Sequence, residues 1–277
     1  MAGRYRFLRF ADFKDKAVTL SYDDGVRDDI QLVSIMNEYG LKGTFNINSG
    51  MFGDGNGWRL SADEVKELYL SGGHEVAVHG KQHLSLADIT PEAAVNDVLS
   101  DRIALEKLTG GIVKGMAYAN GSYNDEVVGI LKNCGIKYSR TVISTERFDI
   151  PNDWLRLPAT CHHNNPNLSR LVENFLAPAG GYNWSKTPKL FYLWGHSYEY
   201  PRDNNWSVIE NFAKTVGRRD DIWYATNVEI YDYVQAYNRL EFDVEYSRVY
   251  NPTDKDVWLN INDKEILAEK GKNTEIK

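Results

Sequence analysis

Three short clusters in this chain carry residues that could do chemistry. The first is Ser21-Tyr22-Asp23-Asp24-Gly25. Two adjacent carboxylates aimed at one centre repel each other unless a proton or a cation relieves them. Gly25 permits a sharp turn, so the two side chains can diverge toward one point. The second cluster is His79-Gly80-Lys81-Gln82-His83. If this segment coils as a helical turn, both imidazoles face the same way, a common means of presenting two nitrogens to one metal. The third is Leu193-Trp194-Gly195-His196. A histidine there can act as a general acid if a neighbouring carboxylate keeps it protonated. Each cluster also has an ordinary reading: a surface turn, two loop histidines, a hydrogen-bonded structural histidine. Together, an aspartate and two histidines would hold a divalent ion and leave open positions for water and substrate.

These clusters need elements to bring them together. β-Branched and aromatic runs predict strands at 17–22, 43–47, 74–78, 114–118, 137–142, 154–160, 190–194 and 222–225. Stretches of helical period lie between them, at 28–39, 61–70, 91–108, 125–133, 167–175, 208–216 and 229–237. Ser61 with Glu64 forms a capping box, and Thr90 and Gly110 bracket the longest helix. Strands alternating with helices imply right-handed βαβ units and a mostly parallel sheet. The expected fold is α/β, a distorted (β/α) barrel of about seven parallel strands. All three clusters then fall at the C-terminal ends of strands, where parallel architectures gather their sites. After about Leu240 the pattern becomes short alternating strands with turns at Asn251-Pro252 and Asn262-Asp263. The expected organisation is a barrel over 1–239 and a small β-rich appendage over 240–277, packed on the barrel.

Composition narrows the function. A chain of 277 residues can bury an ample core without a disulfide framework. Its two cysteines, Cys134 and Cys161, are not spaced as a metal site. A formal charge of −7 argues against nucleic acid as a partner, since a phosphate backbone asks for a Lys/Arg stripe. The 7 Trp and 17 Tyr supply ample aromatic surface for sugar rings, although many must be core. No apolar run approaches the roughly 20 residues of a membrane span. The opening MAGRYRFLRFADFKDK has no apolar stretch before a small-residue cleavage site. A soluble protein is expected, cytoplasmic as written or extracytoplasmic if a leader has been removed. Oligomeric state is not legible.

With these residues in view a resemblance is plain. The segment Thr19-Leu20-Ser21-Tyr22-Asp23-Asp24-Gly25 resembles the T-F-D-D-G motif of the NodB-homology polysaccharide deacetylases, carbohydrate esterase family 4. His79 to His83 resembles that family's H-x-x-x-H motif, and Leu193 to His196 its late L-x-H motif, in family order. The resemblance spans roughly 17–237. It implies a distorted barrel, Asp23 as catalytic base, His196 as catalytic acid, and Asp24, His79 and His83 as metal ligands. It implies an oxyanion donor at the backbone N–H of Asn120. Where the family carries the arginine that holds the base carboxylate, this chain has Ala117. Arg156 is the expected substitute, at substrate, with Arg140 second. Asp153-Trp154 resembles the family's fourth motif, so Asp153 is expected to tune His196 and Trp154 to line the groove. His162, in Cys161-His162-His163, is expected to face the same mouth, with a solvated loop pair as the alternative. Glu199 is expected at the surface, with contact to substrate as the alternative.

The expected function is a metal-dependent hydrolase removing acetyl groups from N-acetylated carbohydrate. Zinc suits an aspartate with two histidines, and cobalt, nickel or iron also fit. The partner would be an acetylated oligo- or polysaccharide. Two alternatives stay open: an O-acetyl esterase or other amide hydrolase on the same scaffold, and a metal-containing glycan-binding protein without turnover.

Overall fold

The computed structural model describes residues 5–53, 55–178 and 186–276. The chain enters through a short strand, β1 (Arg6–Arg9), and then builds β2 (Lys16–Asp23), every residue of which is buried. A strand covered on both faces reads as a near-continuous apolar run, and AVTLSY is one. There follow α1 (Asp29–Glu38), β3 (Gly43–Ile47), α2 (Ala62–Val65), β4 (Glu75–Val78), α3 (Pro91–Thr109), β5 (Gly115–Ala117), α4 (Asp125–Asn133) and β6 (Tyr138–Ser144). Next come β7 (Leu157–Ala159), β8 (Cys161–His162), α5 (Leu168–Leu176), β9 (Lys189–Gly195), α6 (Glu199–Arg202), α7 (Ser207–Val216), β10 (Ile222–Tyr224) and α8 (Asn227–Asn238). Local chemistry sets the helix ends. Thr90 accepts the Ala93 N–H at the start of α3, Pro91 occupies its first turn, and Gly110 ends it at φ 71°. The Ser61–Glu64 capping box starts α2, which continues into a wider π turn over Lys66–Leu70.

Among the described residues, nine parallel strands form one sheet. Its order is β7-β6-β5-β4-β3-β2-β9-β8, with β10 against the start of β2. β7 and β8 lie at opposite ends of that order, yet only Thr160 separates them in sequence. The Thr160 N–H donates to the Tyr192 carbonyl of β9. One residue therefore carries the chain across the seam, and the sheet curls into a distorted barrel. The stretch expected as one strand over 154–160 is split for this reason. Trp154–Arg156 forms a 3₁₀ turn, Leu157–Ala159 pairs with β6, and Cys161–His162 pairs with β9.

The main core lies between the sheet and its surrounding helices, with Leu20, Tyr22, Phe45 and Val78 of the strands against Leu32, Val98, Phe175 and Phe212 of the helices. The strands that follow are β11 (Glu241–Phe242), β12 (Arg248–Tyr250), β13 (Val257–Ile261), β14 (Lys264–Ala268) and β15 (Asn273–Glu275). They form two small antiparallel sheets, β1-β13-β14 and β11-β12-β15. The N-terminal strand thus pairs with C-terminal ones, so the fold draws on both ends of the chain here. β13 alternates buried and half-buried residues, as a strand with one covered face must. Its apolar face packs with Leu8, Ile230 and Val234, and Tyr233 of α8 bonds to the Arg9 carbonyl and accepts the Trp258 N–H. No helix among the described residues is long and apolar enough to cross a membrane.

Candidate active site

Asp23 is the last residue of β2, and the chain must turn at once after it. Asp24 and Gly25 adopt φ of 83° and 63°. Aspartate tolerates this left-handed region better than most side chains, and glycine enters it freely. The Asp24 N–H donates to the Asn46 carbonyl of β3 at 3.0 Å. Arg59 donates to the Asp24 carbonyl, and its Nη2 lies 3.4 Å from Asp24 Oδ1. Both carboxylates of the pair face His79 Nε2, at 3.8 Å from Asp23 and 4.0 Å from Asp24.

The two histidines do not share a helical turn. Residues 79–83 form a tight loop after β4, with Gly80 at φ 79° and His83 at φ 55°. Helix geometry is ruled out because the loop's polar groups are bonded elsewhere. Asn48 Nδ2 donates to the carbonyls of His79 and Gly80 at 2.9 and 2.7 Å. Asp101 accepts the His79 N–H at 3.1 Å, and Asp97 accepts the Gln82 N–H at 2.9 Å. The rings still meet, with centroids 4.9 Å apart.

Asp24, His79 and His83 fit a divalent ion. Their donor atoms lie within 4.8 Å of one another. Asp24 Oδ1 is 4.0 Å from His79 Nε2 and 3.7 Å from His83 Nε2. Both separations are under twice the metal–ligand distance of about 2.1 Å, so an ion on Asp24 is within reach of either histidine. His79 Nδ1 bonds to the Ala117 carbonyl at 2.9 Å, which puts its proton there and leaves the Nε2 lone pair facing Asp24. Burial pushes the His79 pKa down, against the pull of Asp23 and Asp24, which keeps the ring neutral.

Asp23 sits beside this triad in a different environment. Asn46 Nδ2 donates to its Oδ1 at 2.8 Å, and Arg140 Nη2 pairs with its Oδ2. Burial would raise this carboxyl, but Arg140, His79 and His196 together outweigh it and bring it down to about 2. The guanidinium is buried and also lies over the Trp194 ring, 4.2 Å from its centroid. Arg140 of β6 is the register partner of Ala117 on β5. The arginine absent from position 117 is supplied one strand over, at the same height in the barrel. His196 follows β9, itself paired with β2, and places Nε2 3.7 Å from Asp23 Oδ2. Burial lowers its pKa, but Glu199, Asp23 and Asp24 outweigh this and the net shift is upward.

Several expected residues lie elsewhere. Arg156 does not reach Asp23; it pairs with Asp125 and Asp153 at 2.6 and 2.8 Å on the outer surface. Asp153 caps the 3₁₀ turn ahead of β7 instead of meeting His196. Trp154 stacks edge-on against Tyr231 of α8, 5.2 Å between centroids, at the end of β7 where the strand begins. All three corrections have one cause: these residues precede their strand, whereas the site gathers where strands end. His162 is near the site, with its ring 6.2 Å from that of His196. Asn120 adopts φ 56° in the turn after β5 and donates its side-chain amide to Ser85. Glu199 is not at the surface. Its side chain is 12% exposed, with Oε1 3.7 Å from His196 Nδ1 and Oε2 3.1 Å from both His162 Nε2 and His163 Nε2. Burial opposes its ionisation, yet the three histidines hold it well below the usual carboxylate range. Trp58 is 41% exposed, and its ring lies 5.6 Å from Tyr198, which lies 5.2 Å from His196.

The family model described as polysaccharide deacetylase matches residues 11–139. Among curated proteins no sequence matches it. Solved structures share the fold. One is a putative polysaccharide deacetylase from Mycobacterium smegmatis, 17% identical, covering 84% of this chain and 94% of that one, with a TM-score of 0.59. Another is the Xyl-CE4 domain of a multidomain xylanase from the hindgut metagenome of Trinervitermes trinervoides, 14% identical, covering 80% and 92%, with a TM-score of 0.54. A third is a CE4 family pseudoenzyme from Bacillus anthracis, 14% identical, covering 82% and 68%, with a TM-score of 0.51.

Proposed function

We propose that this chain is a metal-dependent hydrolase that removes acetyl groups from N-acetylated carbohydrate. The observation that carries the reading is the pairing of Arg140 with Asp23. It keeps one carboxylate ionised beside three donor atoms suited to a metal, with His196 across from it. A divalent ion held by Asp24, His79 and His83, zinc in the first instance, would polarise the acetyl carbonyl and lower the pKa of water. Asp23 receives the proton of the attacking water as its oxygen bonds to the acetyl carbon. The backbone N–H of Asn120 is the proposed donor to the oxyanion. His196 then delivers a proton to the amine nitrogen as the C–N bond breaks. An amine anion is a very poor leaving group, so an amide depends on this acid more than an ester does. The products are acetate and a free amino sugar.

The sugar half of the reading rests on the exposed face beside the acid. Trp58 and Tyr198 form an aromatic wall next to His196, a surface on which a pyranose ring can stack. The test is acetate release across a panel of N-acetylated glycans, O-acetylated xylan and small amides. Release from N-acetylated glycans, abolished by a chelator and by Asp23→Asn, is expected. Release confined to O-acetyl substrates would overturn the N-deacetylase reading.

A further inference from the structure

His162, His163 and Glu199 form a second cluster with three potential ligand atoms close together. Its hydrogen bonding separates it from the first. His162 Nδ1 accepts the Asn164 N–H at 3.2 Å, so the proton of the neutral ring is on Nε2, the atom 3.1 Å from Glu199 Oε2. A metal ligand needs a lone pair on that atom and normally donates from the other nitrogen, as His79 does to Ala117. The second cluster therefore sets two histidine rings against a carboxylate at ion-pair distance, with the proton of His162 facing it. His163 is fixed in it by packing. Its buried ring lies between Tyr22 and Tyr200, 5.8 and 4.3 Å between centroids, in space that any side chain at Gly195 would occupy.

The other oxygen of the Glu199 carboxylate, Oε1, faces His196. His196 Nε2 lies 3.7 Å from Asp23 Oδ2, and its buried Nδ1 has no hydrogen-bond partner, with Glu199 Oε1 its carboxylate neighbour at an ion-pair distance of 3.7 Å. Arg202 Nη2 also lies 3.7 Å from Oε1. The Glu199 N–H bonds back to the His196 carbonyl at 3.1 Å, which fixes the turn that joins the two residues. We propose that Glu199, anchored by His162 and His163, is the positioning residue that keeps the proton of His196 on Nδ1 and aims Nε2 at the leaving group. The inference rests on the deacetylase reading. In the step itself, the C–N electron pair goes to nitrogen and the Nε2 proton joins it. His196 is left as the neutral Nδ1–H tautomer, and Glu199 keeps its charge throughout.

Two measurements test this on the full chain. Long-range ¹H–¹⁵N spectra of the wild-type imidazoles report the tautomer without any variant. A protonated Nδ1 on His196 is expected; a bare Nδ1 lone pair overturns the proposal. In the zinc-loaded protein, Glu199→Gln is compared with wild type on an N-acetylated chitooligosaccharide and on 4-nitrophenyl acetate. The aryl ester has a leaving group that needs no acid. We expect the amide rate to fall by about 100-fold or more, the scale of general acid catalysis, while the ester rate changes by less than about threefold. Equal losses on both substrates would mean a merely structural role and overturn it. His162→Gln removes one anchor from a half-exposed position and should give a smaller loss with the same split. A wild type inactive on both substrates, with Nδ1 still protonated, would sink the deacetylase reading and leave the Glu199–His196 arrangement standing.

Discussion

At the scale of single residues, the site depends on what lies beside Asp23. Its carboxylate is buried and has one full charge partner, Arg140. Breaking a buried ion pair from one side costs about 3–5 kcal/mol, because the remaining charge is stranded. Arg140→Ala is therefore expected to lower the melting temperature and to reduce acetate release by about 100-fold or more, since Asp23 loses both its orientation and its ionised state. Because Ala117 is the register partner of Arg140, Ala117→Arg added to Arg140→Ala should return part of both. Calorimetry and acetate assays of the two variants check this, and a double variant no better than the single one would contradict it. The contrast explains what was legible beforehand. Asp23, Asp24, His79, His83 and His196 sit in three short clusters whose chemistry is local. Arg140 meets Asp23 from 117 positions away, and the contact depends on strand register. Glu199 stands three residues from His196, close enough to suspect, but its burial depends on where His162 and His163 are folded.

Elements decide whether those residues converge. Strand–helix alternation was legible because β2, β4 and β9 are largely apolar and α2, α3, α4 and α8 start at side-chain caps. The split of β7 from β8 was not, because it reflects the closing of the barrel and not any local preference at Thr160. The loop after β4 was legible as two histidines but not as a turn. Its form comes from Asn48 and from Asp97 and Asp101 on α3. Gly80 matters here for two reasons. Its φ is 79°, and a Cβ would clash with Asp97 Oδ2. Gly80→Ala should cost roughly 1–3 kcal/mol of stability through backbone strain. It should also weaken zinc binding by about 10- to 100-fold, the usual effect of disturbing the support behind metal ligands. Isothermal titration with zinc measures the second effect, and unchanged affinity would show that the loop does not preset the histidines.

At the scale of the whole molecule, the barrel is polar at its floor as well as at its mouth. Glu75 is half-buried and hydrogen-bonded to Thr44, Tyr138 and the Val228 N–H of α8. Burial is the largest influence on it and raises its pKa; the donors pull back, and the net value is about 7, against an ordinary 4.5. A carboxyl raised on folding contributes stability that is present below its unfolded pKa and lost as pH rises through the folded one. The contribution of Glu75 should therefore decline between 4.5 and about 7. Glu75→Gln removes this dependence alone, so wild type should lose melting temperature relative to the variant between about pH 4.5 and pH 7. Parallel melting curves would contradict the assignment. Neither Glu75 nor the pairing of β1 with β13 could be read from local pattern, since each depends on contacts between distant parts of the chain. The account as a whole turns on one claim, that Asp24, His79 and His83 hold an ion the reaction requires. The direct measurement strips the protein with a chelator, adds zinc back, and follows bound metal and acetate released from an N-acetylated chitooligosaccharide together. The account predicts no release when stripped, recovery at stoichiometric zinc, and neither binding nor recovery in Asp24→Ala; undiminished release by the stripped protein, or full metal content in that variant, would contradict it.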